Sequence, residues 1–527
     1  MEINEKHFWY PLLVLILIVS FIINANISAS TPILFGDEGY YAARAEQFLK
    51  TGELPLYYNI YSENDVFHYF WLDVPLPIIL MATSLAIGGE FLLKILNPIL
   101  SILAALVIFK LGKYLYNYKV GIISVFFFLI LHCVITYTVF IYADMLLVFL
   151  TTLSLYYLIR ALKEDNNKYL VIAGVAGGLA ALTKETGLIV FLLYIASLLI
   201  TRVKNKEFLK KFGILFLIFV VLMAPWYGYH HMYKLGNPGI PFLTGQFPDS
   251  WFSPDLEIFD KGEVARGYGG AYSDIGRFGV FNYIIFSYSL FPFFFIVLGI
   301  SYLFYKRREN DKLLLSWAFI LLIFVILYNP GAKVESLSRW LLPVMPMFAI
   351  FAGCFTDRIL EFFKGYGKYF GMAIGFIFII MIMIYGFSQS YEKAESLRPA
   401  KIWSPAFVSG CEWIRWNTPK DSQIVSIWIN HGMYHCKRDV YWNNLPNRKT
   451  IVEYSNDTSY ELLKKTGMDY IYFQKFSISF SDTPETYPVK FVRYVMFSDK
   501  FEKVYDFPPD CINHGDIRDC VAVYKIR

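Results

Sequence analysis

Two adjacent carboxylates, Asp37 and Glu38, stand in "LFGDEGYYAARAEQFL", just after the first long apolar stretch of the chain. A carboxylate there can take a proton from an acceptor hydroxyl or orient it. Lys184 in "ALTKETG" and Arg339 in "SLSRWLLPVMP" are cations at the ends of apolar segments. Such cations can hold a phosphate leaving group and offset the charge it gains. Asp144, in "IYADMLL", sits at another apolar segment's end. Tyr40, Tyr41 and the aromatic loop 230–278, with "GQFPDSWFSPD" and "RGYGGAY", could wall a cleft that admits a lipid and stacks on a sugar. Arg266, His68 and Lys333 are further polar candidates. A base, a pair of cations and an aromatic cleft are what group transfer from a lipid-borne substrate needs. Plainer roles exist for each residue. Lys184 could snorkel, Arg339 could pair with Glu335, and Asp37 could cap the helix that follows it.

The elements that must position these residues are membrane helices. Of 527 residues, 56% are hydrophobic, 19% aromatic and only 17% charged. A globular domain carries about 25% charged residues, so the deficit points to lipid as a solvent. Up to about Ser388 the chain is a series of apolar runs long enough to span a bilayer. From Gln389 to Arg527 there is none. The expected domains are therefore a membrane domain, 1–388, with outer loops 28–90 and 230–278, and a soluble domain, 389–527. The net charge of +5 sits mostly in short loops. No basic face of the kind that binds nucleic acid is present.

Five basic breaks lie around Lys110, Lys163, Lys206, Arg307 and Lys364. If all five are cytoplasmic, each break between them should contain two crossings. The pairs are 120–139 with 143–160, 169–183 with 187–201, 212–229 with 280–304, and 313–328 with 340–357. Residues 74–89 are apolar but short, and they start at Pro75 and Pro77; they read as a re-entrant or juxtamembrane helix. The fold class is a polytopic α-helical membrane protein of about 11–13 transmembrane helices with a C-terminal soluble domain. The N-terminus is then cytoplasmic, in a plasma membrane. Asp37, Glu38, Asp144, Lys184, Arg339, loop 230–278 and the tail all fall on the extracytoplasmic side. Ionisable groups at membrane depth are costly and usually functional.

The tail alternates helix and strand. "EWIRWNTP" and "TSYELLKKTG" read as helices, "SQIVSIWI" and "MDYIYFQ" as strands, so an α/β domain is expected. Four of the six cysteines, Cys411, Cys436, Cys511 and Cys520, lie in the tail, where disulfides are permitted. Cys511–Cys520 with Cys411–Cys436 is the preferred of three pairings.

Four segments resemble GT-C glycosyltransferases, in the branch of protein O-mannosyltransferases and lipid A aminoarabinose transferases. They are "GDEGYYAARAEQFLKTGELP", "IYADMLLVFLTTLSLYYLIRAL", "GLAALTKETGLIVFL" and "SRWLLPVMPMFAIFAG", in that order. The resemblance implies inverting transfer of a sugar from a polyprenyl-phosphate donor to an acceptor hydroxyl on a glycan, lipid or protein. Asp37 would be the leading catalytic carboxylate with Glu38 beside it. Lys184 and Arg339 would hold the lipid phosphate. One departure stands out: "WLDVPLP" has Asp73 where the aminoarabinose branch carries a lysine. Asp73, Asp37 and Asp144 together could bind a divalent cation, Mg²⁺ or Mn²⁺. A lipid-linked sugar transporter or flippase is the alternative. It predicts a site near the bilayer midplane between repeats, whereas these charges gather at one face.

Overall fold

The computed structural model describes residues 6–33, 37–52, 75–228, 290–328, 339–366, 368–401, 405–426, 429–441, 451, 454–474, 487–509 and 520–527. They fall into two compact units. The first gathers the described residues of Met1–Ser30, Val74–Pro238 and Ile275–Arg398; the second gathers those of Thr31–Asp73 and Pro399–Arg527.

The first unit is built of helices: Lys6–Ser30, Pro75–Leu115, Tyr118–Ile130, His132–Val139, Asp144–Lys163, Asn167–Ala181, Val190–Ile200, Asn205–Gly228, Leu290–Lys306, Glu309–Tyr328, Met345–Lys364 and Lys368–Lys401. Short 3-10 turns stand at Glu185–Ile189 and Leu342–Val344. Each segment expected to cross the membrane is mostly helical over its described residues, with 120–139 interrupted at Leu131. Among those residues, six helices are long and apolar enough to cross. The pair Tyr118–Ile130 and His132–Val139, bent by 65°, makes a seventh if it is one span. Among the described residues, several other apolar helices are shorter than a full span.

The described residues of segment 74–89 form a helix of their own, set off from the following one by a kink. The stretch Pro75–Leu115 is broken at Gly88 and Gly89. Gly89 has φ 60° and ψ −156°, a backbone region open essentially to glycine alone. The two glycines therefore turn one apolar segment into two helices of different direction.

The apolar stretch ends near Ser388, but its helix runs on to Lys401. Glu392, Lys393, Ala394 and Glu395 are good helix formers and continue it. The C-terminal part of the second unit begins within this helix's last turn, at Pro399.

The second unit holds a five-stranded sheet of order β2-β1-β3-β5-β4. The strands are β1 (Gln423–Val425), β2 (Asp439–Tyr441), β3 (Tyr470–Gln474), β4 (Phe501–Phe507) and β5 (Val521–Ile526). β1 pairs in parallel with β2 and β3; β5 is antiparallel to β3 and β4. Side chains of β3 alternate between faces, as strand geometry requires. Tyr470 and Tyr472 join a cluster with Phe407 and Ile414. Ile471 and Phe473 join one with Leu463 and Phe491. Helices Pro405–Asn417, Ile429–Cys436, Asp457–Lys465 and Tyr487–Phe497 accompany the sheet. This is the expected α/β domain. It also includes a helix from far upstream: Glu38–Thr51 packs on Ile429–Cys436.

Candidate active site

Asp144 opens the helix Asp144–Lys163, where the amide dipoles favour a negative charge. It is buried, with 1% of its surface exposed. Its two oxygens meet two different cations. Lys184 Nζ donates to Oδ1 at 2.7 Å, and Arg339 Nε donates to Oδ2 at 2.7 Å. Residues separated by 40 and 195 positions along the chain thus close on one carboxylate.

Each cation comes from an irregular backbone segment. Lys184 is the extended residue just before the 3-10 turn Glu185–Ile189. The turn is tight: Gly187 N donates to the Lys184 carbonyl at 2.8 Å. A Cβ on Gly187 would lie 2.2 Å from the Ala180 carbonyl oxygen, so only glycine fits. Arg339 begins a helical stretch that tightens at Leu342–Val344 and resumes at Met345. Pro343 and Pro346 sit in the first turns of those two elements, where no amide proton is needed. Aromatic rings complete the surroundings. Lys184 Nζ lies 4.9 Å from the Trp340 ring centre, and the Arg339 guanidinium lies 4.5 Å from that of Tyr142. Both contacts add cation–π attraction.

The loop that leads into Asp144 is pinned from below. Asn97, buried in the apolar helix Pro75–Leu115, points its amide nitrogen at the carbonyls of Tyr137, Phe140 and Tyr142, the last at 2.9 Å. The Ser28 hydroxyl lies 2.7 Å from the Lys94 carbonyl and 2.8 Å from that of Val139. Neither residue was a site candidate from sequence. The signal was there for Asn97: a polar Asn-Pro pair inside an apolar span is costly unless it bonds.

The cluster carries one negative and two positive charges. Lys184 and Arg339 side chains remain 16% and 18% exposed. The arrangement suits an anion. A metal ion fits poorly at Asp144, because both oxygens already face cations that would repel it. Among the described residues, no group of three or more His, Cys, Asp or Glu side chains is placed to hold a metal ion.

The acidic pair belongs to the second unit. Asp37 is at the N-cap position of Glu38–Thr51, but its side chain makes no capping hydrogen bond. The capping role is therefore not the one it plays. Glu38 is fully buried, and Tyr40 and Tyr41 are buried beside it, their ring centres 5.3 Å apart. The Arg44 guanidinium lies 4.9 Å from the Tyr40 ring centre.

Cys411 and Cys436 form a disulfide. Cys520 is also disulfide-bonded. Asp73, His68, Arg266, Cys511 and loop 230–278 lie outside the described residues.

Residues 74–229 match the family model of dolichyl-phosphate-mannose-protein mannosyltransferases. A search of curated proteins found no match. Solved structures with the same fold include ArnT from Cupriavidus metallidurans bound to undecaprenyl phosphate, with TM-score 0.62, 13% identity and 98% of both chains covered. They also include the oligosaccharyltransferase AglB from Archaeoglobus fulgidus in complex with an inhibitory peptide and a dolichol-phosphate. Its TM-score is 0.60 at 16% identity, over 89% of this chain and 69% of that one. The arabinofuranosyltransferase AftD from Mycobacteria gives 0.55 at 13% identity, over 97% of this chain and 41% of that one. At such identities the likeness is one of fold. The chain resembles GT-C glycosyltransferases, as its four motifs implied.

Proposed function

We propose that this protein is an integral-membrane glycosyltransferase. It moves a sugar from a polyprenyl-phosphate donor to an acceptor hydroxyl on the extracytoplasmic side, with inversion at the anomeric carbon. The observation that carries this reading is the pair of partly exposed cations, Lys184 and Arg339, converging on buried Asp144. The fold supports it, since ArnT and AglB were solved with polyprenyl-type phosphates.

In the proposed step the acceptor oxygen attacks the anomeric carbon from the face opposite the phosphate. The bond from that carbon to the phosphate oxygen breaks, and the polyprenyl phosphate leaves with one more negative charge. Lys184 and Arg339 hold that charge as it develops, and such stabilisation is usually the largest single contribution to catalysis. Asp37 takes the acceptor proton, and Glu38 supports it. Asp144 keeps the two cations together and oriented. The acceptor is a glycan, lipid or protein.

The test uses purified protein in detergent and a panel of polyprenyl-phosphate sugars, with and without EDTA. Sugar release, including slow hydrolysis, is followed by mass spectrometry. Donor breakdown that disappears in Asp37→Asn is the expected result. Normal turnover by Asp37→Asn would remove it from the base role. Intact lipid binding with no breakdown of any donor, even with acceptors added, would shift the reading to a lipid-linked sugar transporter.

A further inference from the structure

Within the second unit, His435 and Lys437, on either side of Cys436, contact the segment that carries the acidic pair. The His435 ring nitrogen Nε2 lies 2.7 Å from the Ile33 carbonyl oxygen, four residues before Asp37, and donates to it. Cys436 is bonded to Cys411 on the helix Pro405–Asn417. Lys437 forms an ion pair with Glu46, in the middle of Glu38–Thr51. Two contacts to the upstream segment therefore flank one covalent anchor to the domain's core.

The contacts are well supported. Cys411 and Cys436 are both fully buried in the cluster of Phe407, Ile414 and Val440. The Lys437 ammonium also lies 4.1 Å from the Tyr434 ring centre. The His435 ring packs against Phe407 and Tyr434. Lys437 and Glu46 are each three-quarters buried, so their attraction is screened less than that of a surface pair. Burial pulls the Lys437 ammonium below the usual lysine range, and Glu46 works against that pull.

We propose that His435-Cys436-Lys437 positions the Asp37–Glu38 helix for the transfer step, with the Cys411–Cys436 disulfide fixing the tripeptide. These are positioning residues; none acts on the substrate itself. The proposal rests on the glycosyltransferase reading for its consequence in catalysis, but not for the mechanical link. A base must sit within hydrogen-bond reach of the proton it removes, and a displacement of about 1 Å can cost a hundredfold in rate. Rigid support of such a group is therefore part of the catalyst.

The experiment compares Lys437→Met with Lys437→Arg in the full chain. It reads donor turnover and the hydrogen–deuterium exchange of the Glu38–Thr51 amides. In Lys437→Met, kcat should fall about tenfold or more while KM for the donor stays unchanged. Exchange in Glu38–Thr51 should quicken. Lys437→Arg should keep both properties near wild type. The double variant Cys411→Ser with Cys436→Ser should quicken exchange in the same helix. Unchanged exchange in Lys437→Met, or an arginine variant as impaired as the methionine one, would overturn the proposal. If the wild type turns over no donor, the glycosyltransferase reading fails. The exchange comparison then decides the link on its own.

Discussion

Asp144 illustrates how a buried carboxylate can serve an anion site. Alone at membrane depth it would be costly; paired with Lys184 and Arg339 it is satisfied at both oxygens. The reverse also holds, since removing it leaves two cations side by side. Asp144→Asn should destabilise the protein by about 3–5 kcal/mol, as breaking a buried ion pair does. It should still bind polyprenyl phosphate, because the phosphate no longer competes with a carboxylate for the same donors. Thermal unfolding with and without added lipid phosphate reads both effects. The expected pattern is a lowered Tm that the lipid restores more strongly than in wild type. Lys184→Gln and Arg339→Gln should each weaken donor binding by about tenfold to a hundredfold, corresponding to about 1.5–3 kcal/mol for a hydrogen bond to a charged group. Unchanged binding in both variants would take the phosphate away from this cluster.

The elements that present these side chains are mostly breaks in helices. Lys184 precedes a 3-10 turn, Arg339 precedes another, and Asp144 follows a bent helix pair. Gly187 makes the first of these turns possible. Gly187→Ala forces its methyl group against the Ala180 carbonyl and should destabilise by about 1–3 kcal/mol, the usual range for overpacking. Because the same turn aims Lys184, donor binding should fall as well. Asn97 acts on the Asp144 side. Asn97→Ala leaves carbonyls of the 137–142 segment without that donor and should lower stability by about 1–3 kcal/mol. A thermal shift with donor turnover measured in parallel checks both variants. Loss of stability without loss of donor binding in Gly187→Ala would separate the turn from the site.

At the scale of the molecule the question is sidedness. The proposed chemistry needs the acidic pair and the C-terminal domain outside, and the disulfide at Cys411–Cys436 belongs in an oxidising compartment. A periplasmic-type reporter fused after Arg527 should be active, and one placed in the Arg307–Arg308 break should be silent. The opposite pattern would invert the topology and move the site to the cytoplasm. The chain also joins distant parts in one unit. The helix Glu38–Thr51 packs with the C-terminal domain, although some 350 residues of intervening sequence separate them. Truncating that domain should therefore expose Glu38–Thr51, and limited proteolysis between Arg44 and Lys50 would detect it.

Much of this was legible in the residues. Apolar runs of bilayer length and the basic breaks between them located the helices, because period and hydrophobicity act locally and need no knowledge of partners. The alternation of helix and strand patterns in the tail located β3, in "MDYIYFQ", for the same reason. The types and positions of Asp144, Lys184 and Arg339 marked them as candidates, because charge is costly near lipid. Their convergence on one carboxylate was not legible, nor was the support from Asn97 and Ser28. Nor could the sequence assign Glu38–Thr51 to the C-terminal domain or extend the last membrane helix to Lys401. Each of these depends on contacts between residues far apart in the chain. Such contacts are chosen by how whole helices pack, and the local pattern of residues carries no record of that choice.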